Sequence, residues 1–438
     1  MADNVARVVL EGLCTACGAC LVVCPRHALV MRETPVGLLH PFVTEALCTN
    51  CGRCWRVCAG RRLDTSLPVG LDPFKGTVLD AYVGHATDDD LRRHGQSGGV
   101  VGALVAFMIE SGAADGALST ILADDQDVRP SAIVARTRKA VVAGQRSKYC
   151  PSASIGAVRA CGRDERLVTV AVPCQVHGLQ NLACGHSGVV PEEVLRIGLF
   201  CEGVLSFNAI DLMASLCGLE MKDVIGLEYK SKSRAGWPGE ICFHMNDGRS
   251  EYASSSIRML LKDFMTPLRC RVCFDKLNML ADLSVGDPWG VPGASPEGES
   301  VILVRTERGR LALELAIAEG CLIVGPASPD AVFFGQAVEQ RRRDFATYRK
   351  MWRQGGLALP SVEGLDCWLS GKVPFSDTIR CQYRVYASRY VCRASSKSQA
   401  LGRARSLVRT RRTVSAPFRF VAWFWSRLSY RASRVFDR

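Results

Sequence analysis

The sequence predicts an α/β core that is preceded by a small cysteine-rich α+β domain and followed by a basic, partly helical C-terminal extension. Three observations indicate this arrangement. Eight of the 21 cysteines fall in the first 58 residues, strand and helix patterns alternate over 78–345, and residues 397–438 carry eleven Lys or Arg against one acidic residue. We therefore divide the 438 residues into a domain over 1–60, a linker over 61–77, a core over 78–345 and an extension over 346–438.

The composition excludes several classes of protein. Hydrophobic residues are 48% and charged residues 22%, as in folded globular proteins. The longest apolar run, near 100–109, is too short to span a membrane, and the first residues lack a secretory signal pattern. We therefore expect a cytoplasmic protein. Since +10 of the net charge of +12 lies in 397–438, the body is about neutral and nucleic acid is not expected as a partner.

The N-terminal region repeats one cysteine spacing. The two copies are Cys14-x2-Cys17-x2-Cys20-x3-Cys24 and Cys48-x2-Cys51-x2-Cys54-x3-Cys58. Three thiolates on a tight loop can hold three corners of a [4Fe-4S] cube, and the fourth points away and completes the neighbouring cube. We expect one cluster at Cys14, Cys17, Cys20 and Cys58, and a second at Cys48, Cys51, Cys54 and Cys24.

Zinc and disulfides are the alternatives for these eight cysteines. Tetrahedral zinc sites usually take paired C-x2-C units, and a third cysteine two residues further on fits them poorly. A disulfide framework is not expected in a long chain without a signal peptide. With these motifs, 1–60 resembles a two-cluster bacterial ferredoxin domain, which carries single electrons.

The core alternates strand and helix signals. Strands are predicted near 78–84, 117–122, 132–135, 167–172, 197–200 and 283–286, and a strong helix over 98–110 with Ser97 as its N-cap. Helical and strand signals fade after about 345, and 397–416 reads as flexible. The alternation predicts an α/β core.

Four cysteines of the core lie at the ends of predicted strands, where α/β sheets place functional groups. They are Cys174, Cys201, and the pair Cys270-x2-Cys273. Four thiolates from three segments could hold a third [4Fe-4S] cluster. From the spacing alone this is the weaker interpretation, because a lone C-x2-C is also common in zinc and redox sites and single cysteines are usually buried apolar residues.

Several blocks in order resemble the family of coenzyme F420 hydrogenase/dehydrogenase β subunits. They are 96–101 (QSGGVV), 147–149 (SKY), 172–175 (VPCQ), 198–201 (GLFC), 270–275 (CRVCFD) and 281–290 (ADLSVGDPWG), and the resemblance covers roughly 1–340. The family includes deazaflavin-reducing hydrogenase subunits, formate dehydrogenase β subunits, 7-hydroxymethyl chlorophyll a reductase and ferredoxin-dependent divinyl chlorophyllide reductase. The resemblance implies FAD and iron–sulfur clusters, with the four core cysteines as ligands of the cluster nearest the flavin.

The resemblance also implies flavin contacts. A helix opens at Ser97, Gly98 and Gly99, and its N–H groups could approach a phosphate. Lys148 could neutralise a pyrophosphate, and Tyr149 could stack on a ring. No G-x-G-x-x-G occurs, so a direct NAD(P)H site is not supported. His177 is a weak candidate for a catalytic proton donor, and a structural histidine in a turn is the favoured alternative.

The tail over 417–438 alternates apolar residues and arginines at helical spacing, which predicts an amphipathic basic helix. It could lie on an anionic inner membrane face, where each basic residue adds about 1 kcal/mol. Docking on the protein body or on a partner, and RNA binding, are the alternatives.

Two functions compete. The first is an iron–sulfur flavoprotein oxidoreductase that passes electrons between ferredoxin-type clusters and FAD to reduce or oxidise an organic substrate or deazaflavin coenzyme. The second is an electron-transfer β subunit that serves a separate partner enzyme. Either would exchange electrons with a ferredoxin or a partner subunit. A zinc-stabilised scaffold anchored by its tail is a third, non-enzymatic interpretation.

Overall fold

The computed structural model describes residues 3–63, 70–122, 128–185, 190–291, 295–369, 371 and 373–413. The strands of this part of the chain are β1 (Leu29–Glu33), β2 (Leu39–Val43), β3 (Asp80–Ala86), β4 (Gly116–Leu122), β5 (Pro130–Ala135), β6 (Arg166–Ala171), β7 (Glu192–Leu199), β8 (Val224–Ser231), β9 (Glu240–Met245), β10 (Ser250–Ala253), β11 (Leu283–Gly286), β12 (Ser300–Val304) and β13 (Leu322–Pro326).

The helices of the same residues are α1 (Val5–Leu10), α2 (Ala19–Val22), α3 (Arg53–Arg56), α4 (Asp89–His94), α5 (Val100–Glu110), α6 (Arg138–Gly144), α7 (Pro173–Gly185), α8 (Asn208–Leu216), α9 (Ser256–Met265), α10 (Leu268–Arg271), α11 (Glu307–Ala318), α12 (Pro329–Gly335), α13 (Val338–Gln354), α14 (Phe375–Cys392) and α15 (Lys397–Thr413). Short 3₁₀ helices cover Glu45–Leu47, Ser154–Ala160, Met221–Asp223 and Asp366–Trp368.

A large mixed sheet forms the core and confirms the predicted α/β class. Within the described residues its order is β13-β3-β12-β11-β7-β6-β4-β5. The central strands β4, β6, β7 and β11 are parallel, and antiparallel strands flank them on both sides. These parallel strands are rich in Val, Leu and Ala because helices or loops cover both faces. The carboxyl ends of β6, β7 and β11 meet at one edge, where an open α/β sheet binds ligands.

Helix α5 differs from its prediction at the N-terminus. It begins at Val100, and Gly99 takes the capping position with a left-handed φ of 76°. The Ser97 hydroxyl donates to Asp287 across the core instead of capping the helix. The prediction of Ser97 as N-cap is therefore wrong, because the left-handed turn at Gly99 moves the helix start two residues along the chain.

The N-terminal residues form a β1–β2 hairpin and short helices that follow the two cysteine loops. Gly18 and Gly52 precede α2 and α3 in left-handed conformations, with φ of 90° and 70°.

In the segment predicted as a linker, Phe74 is 1% exposed and its ring packs edge-on against Phe274 and Phe345. The described end of that segment therefore packs on the core.

The C-terminal region is more regular than predicted. Helix α13 continues to Gln354, and α14 and α15 follow it. Helix α15 packs into a hydrophobic cluster shared with the antiparallel sheet β8-β9-β10. Its buried residues are Ala400, Ala404 and Val408, whose exposed fractions are 0%, 0% and 2%. The expectation that structure fades after 345, and that 397–413 is flexible, is wrong. The buried positions are mostly alanine, which gives a weak hydrophobic signal although it recurs every fourth residue.

The predicted amphipathic helix over 417–438 lies outside the described residues, and so does its predicted contact with a membrane surface. Among the residues described, no helix combines the length and the apolar character needed to span a bilayer.

Candidate metal centres and ligand cavity

The first cysteine loop gathers the thiols of Cys14, Cys17, Cys20 and Cys58. Burial and the neighbouring Cys17 thiol raise the pKa of Cys58 to about 11. Burial raises the pKa of Cys20 well above its usual value, and Cys17, Cys14 and Cys58 add to the effect. The backbone N–H of Ala16 donates to the Cys14 sulfur at 3.4 Å. Cys58, from the second copy of the motif, thus lies beside the thiols of the first loop.

The second cysteine loop encloses a small pocket. Its wall contains four thiols, those of Cys24, Cys48, Cys51 and Cys54. The backbone N–H of Ala28 donates to the Cys24 sulfur at 3.3 Å. Cys51 is exposed, and the N–H of Arg53 lowers its pKa. This group therefore lies nearer the surface than the first group, where Cys17 and Cys20 are buried.

The chemistry of both groups fits [4Fe-4S] clusters. All 21 cysteines are free thiols, so none of the eight is tied up in a disulfide. Among the described residues, no three His, Cys, Asp or Glu side chains are close enough to hold a metal ion as they stand. The two groups are sets of neighbouring thiols with N–H donors to sulfur, which suits thiolate ligands of a cluster. In the first group, the raised pKa values of Cys20 and Cys58 mean that cluster assembly must release protons.

A third group of thiols lies at the carboxyl edge of the parallel strands. Cys174 starts α7 directly after β6, Cys201 follows β7, and Cys270 and Cys273 flank the end of α10. Burial and the neighbouring Cys270 raise the pKa of Cys201 to about 12. Burial also raises the pKa of Cys174, and the thiols that add to this are Cys201, Cys273, Cys17 and Cys270. The sheet thus brings together four cysteines from three separate segments.

The first and third groups are neighbours in space. A Cβ placed on Gly178 of α7 would come within 3.3 Å of the Cys17 sulfur. The buried guanidinium of Arg269, next to Cys270, donates to the carbonyls of Ala59 and Gly60 at 3.4 and 3.2 Å. The N-terminal loops and the third cysteine group therefore form one packed unit.

A cavity of about 950 Å³ opens beside the third group. Its wall includes Cys174, Cys201, Cys270 and Cys273, and also Cys14 of the first group. Three buried polar atoms of wall residues have no hydrogen-bond partner in the described part of the chain: Nε of Arg258, Nε of Arg341 and Oε1 of Gln145. An organic ligand with both anionic and polar groups would fit such a wall.

The residues predicted to contact a flavin lie in or beside this cavity. Ser97, Gly99, Lys148 and Tyr149 line it, and Gly98 does not. The Gly98 N–H donates to Ser300, and a Cβ at 98 would come within 2.5 Å of a β3 carbonyl oxygen. Close backbone packing therefore explains Gly98 without a phosphate.

Lys148 and Tyr149 already have partners inside the protein. The Lys148 ammonium donates to the carbonyls of Gly144 and Gln145 at the end of α6, and burial lowers its pKa to about 7. The Arg258 guanidinium lies over the Tyr149 ring at 4.2 Å. One N–H of Lys148 is thus left for a ligand, whereas the Tyr149 ring is also approached by the Lys230 ammonium at 5.8 Å.

A buried ion pair on the cavity wall was not found from the sequence. The Lys230 ammonium lies 2.5 Å from a carboxylate oxygen of Asp287, and the Ser97 hydroxyl donates to the other oxygen. Asp287 belongs to a block that carries the family resemblance, but nothing in its local sequence points beyond a turn contact. Lys230 lies in β8, far from any motif, so only the fold could bring it to Asp287.

His177 does not line the cavity, although its partner Asp275 does. Its Nε2 lies 3.0 Å from Asp275, both side chains are buried, and its ring stacks on Phe274. This arrangement agrees with the structural alternative, and we do not carry the weak catalytic candidate forward.

Comparison with known families decides the relationship of this chain. Residues 81–159 match the N-terminal part, and residues 164–330 the C-terminal part, of the coenzyme F420 hydrogenase/dehydrogenase β subunit. Residues 13–60 match a 4Fe-4S dicluster domain. The chain belongs to the family of coenzyme F420 hydrogenase/dehydrogenase β subunits. The resemblance seen in the sequence blocks is thereby confirmed, including the dicluster domain at the N-terminus.

Relatives of this member of the family are oxidoreductases or their subunits. A protein named as one subunit of the F420H2 dehydrogenase of Methanosarcina mazei is 23% identical over 354 residues, which cover 80% of this chain and 94% of that protein. The coenzyme F420-dependent sulfite reductase of Methanocaldococcus jannaschii is 27% identical over 319 residues. That match covers 69% of this chain but 46% of the reductase, so this chain spans about half of the larger enzyme.

The fold of the family member is also found in a solved structure. A chain of the F420-reducing [NiFe] hydrogenase complex from Methanosarcina barkeri matches with a TM-score of 0.51 and 19% identity. The match covers 65% of this chain and 94% of that one. It shows a shared fold.

Proposed function

We propose that this chain is an iron–sulfur flavoprotein that passes single electrons between its N-terminal cysteine groups and a FAD held in the large cavity. The substrate would be a deazaflavin coenzyme or another organic compound. The observation that carries the proposal is the spatial order of the thiol groups. The second group, which contains Cys51, lies nearest the surface. The first group with Cys17 comes next in space, and then the third group with Cys174, which forms part of the cavity wall.

The chain's own residues supply the requirements of such a path. The third cysteine group forms part of the cavity wall, so a bound ring system would lie next to its thiols. Arg258, with an unpartnered Nε, and the N–H groups that start α5 favour the anionic part of a ligand. A flavin accepts electrons singly or in pairs, which lets single-electron centres serve a two-electron substrate.

A second candidate function is an electron-transfer β subunit that serves a separate catalytic partner. It is favoured by the relatives, because the M. mazei protein is named as a subunit of a dehydrogenase and other relatives as hydrogenase or formate dehydrogenase β subunits. Both candidates need the same three thiol groups. They differ in whether the cavity of this chain turns over a substrate of its own.

The test is a count of iron, sulfide and flavin in protein purified without oxygen. We expect about twelve irons and one FAD per chain, since three clusters hold four irons each. The Cys174→Ser variant should lose about four irons and keep the N-terminal clusters. About eight irons without flavin in the native protein would contradict the proposal, and a colourless zinc protein would contradict both candidates.

Turnover then separates the two candidates. Reduced protein is mixed with oxidised F420 under anaerobic conditions, and loss of the deazaflavin absorbance is followed. Reduction of F420 by this chain alone would support the first candidate. If the clusters are reduced but F420 is not turned over until a partner is added, the result would support the second candidate, the electron-transfer β subunit.

A further inference from the structure

We propose that the exposed face around Cys51 is the docking surface for an acidic one-electron carrier protein. The face consists of Cys51, Leu47, Arg26, Arg53 and Arg56. The inference rests on the proposed function, because it assumes that electrons enter or leave through the second cysteine group. It adds the place of exchange and the charge of the partner.

Accessibility selects this face. Cys51 is exposed, and Cys48, Cys54 and Cys24 are partly buried. In the first group Cys17 and Cys20 are buried, and the third group lines the cavity. A carrier protein cannot enter the cavity. Of the three groups, the second is therefore the one that another protein can approach closely.

The charge around the pocket is positive. The charged side chains in its wall are Arg26 and Arg53, both exposed. Arg56 is also exposed and its guanidinium lies near Gly52 of the same loop. Within the described residues, none of these three arginines forms an ion pair. Their charge is therefore available to a partner.

The neighbouring acidic groups do not neutralise the face. Asp3 and Glu11 both pair with Arg7 of α1, at 3.3 and 2.9 Å. Glu45 is exposed at the start of the 3₁₀ helix that leads to Cys48. Because Arg7 offsets only one of the Asp3 and Glu11 charges, these acidic groups together with Glu45 carry a net charge of −2. The three arginines carry +3, so the face remains positive in the described part of the chain, which favours a partner with negative charge.

The polarity of the face fits a transient partner. Leu47, 42% exposed, lies directly before Cys48 and is an apolar contact beside the exposed arginines. Permanent subunit interfaces are more apolar than this. One electron would pass per encounter, with the carrier oxidised by one electron and this chain reduced by one, or the reverse, and no bond would form or break.

The experiment measures electron exchange between the full-length holoprotein and an acidic two-cluster ferredoxin by anaerobic stopped flow. We expect the rate constant to fall as salt is raised, because charge accelerates the encounter. In the double variant Arg26→Glu/Arg53→Glu, the rate constant at low salt should fall by about tenfold or more. The control Arg93→Glu reverses an exposed charge on α4 and should leave the rate unchanged.

A basic carrier provides the opposite test. Cytochrome c takes electrons from the reduced protein, and the double variant should accelerate this reaction while it slows the one with ferredoxin. Equal rates for native protein and variant with both carriers would overturn the docking surface. Excess dithionite separates the docking surface from the proposed electron path. It needs no docking surface, so it should reduce the native protein and the double variant to the same extent. If it reduces neither, the proposed electron path itself fails.

Discussion

Cys17 and Gly178 are in contact across two domains. A Cβ at 178 would lie 3.3 Å from the Cys17 sulfur, and α7, which carries Gly178, begins with the turn that holds Cys174. The absence of a side chain at 178 therefore lets the first cysteine loop approach the helix that starts at the third group. This contact sets the separation between two of the proposed clusters.

Gly178→Ala should weaken this contact. The added methyl group would meet Ile155, Ala19 and the Cys17 sulfur at 2.7 to 3.3 Å, so the loop must shift. We expect a loss of about 1–3 kcal/mol in stability, typical of overpacking, and slower electron passage from the N-terminal clusters to the flavin. Thermal unfolding and the rate of flavin reduction by a reduced carrier measure the two effects.

The matched control is Gly185→Ala at the end of the same helix. The nearest atom to its Cβ would be 3.9 Å away, an ordinary contact. This variant should be neutral or slightly more stable. Equal behaviour of the two variants would show that the Cys17 contact does not limit transfer.

Cross-ligation between the two N-terminal loops predicts an unusual pattern of iron loss. Cys58→Ser and Cys20→Ser should each lose about four irons, and their combination no more, because both ligate one cluster. Cys58→Ser with Cys54→Ser should lose about eight. If each loop holds its own four cysteines, the two combinations exchange results.

The control for this series is Cys367→Ser, an exposed cysteine whose sulfur donates to the Gly364 carbonyl. Serine preserves that hydrogen bond, so iron content should stay at the native value. Iron and acid-labile sulfide are measured on each variant purified without oxygen.

Arg269→Ala should loosen the N-terminal domain from the core. The variant removes the buried guanidinium that binds the Ala59 and Gly60 carbonyls beside Cys58. Hydrogen bonds to charged groups contribute about 1.5–3 kcal/mol, so we expect a loss of this order in unfolding free energy. Faster proteolysis within 61–77 should accompany it. Lys350→Ala, at an exposed site on α13, should change neither quantity.

Asp287→Asn should destabilise the cavity wall strongly. Burial opposes the charge of Asp287, but Lys230 outweighs it and holds the Asp287 pKa below its usual value of 3.8. Burial likewise opposes the Lys230 charge, while Tyr149 and Asp287 keep the Lys230 pKa above its usual 10.5. Removing the carboxylate leaves a buried ammonium unpaired, and we expect a cost of about 3–5 kcal/mol at pH 7.

The pH dependence of stability follows from the same two shifts. The Asp287 contribution is present above about pH 4 and is lost as the pH falls through the lowered pKa. The Lys230 contribution is present below about pH 10.5 and is lost as the pH rises through the raised pKa. The double variant Asp287→Asn/Lys230→Met should recover much of the loss at pH 7. Urea unfolding across this pH range measures the free energy of unfolding of the native protein and the variants. A double variant as unstable as Asp287→Asn would contradict the ion-pair argument.

Spacing in the sequence was informative where chemistry is local. The C-x2-C-x2-C-x3-C motifs predicted both N-terminal cysteine groups because three ligands of a cluster come from one loop. The strands that lead to Cys174 and Cys201 were predicted because parallel strands buried on both faces are continuously apolar. Helix α15 was missed, since its buried positions Ala400 and Ala404 have small side chains that give only a weak hydrophobic periodicity.

The sequence by itself determined the α/β class, the two N-terminal cysteine groups and the family, because these depend on short-range spacing and on blocks in order along the chain. The tertiary structure decided which distant side chains meet. It brought Cys17 to Gly178 and Arg269 to Gly60, paired Lys230 with Asp287, and placed His177 against Asp275 of the cavity wall. These contacts join residues 57 to 209 positions apart. No periodicity records such pairs, because the path of the backbone through the sheet, and not the order of the residues, sets their distance.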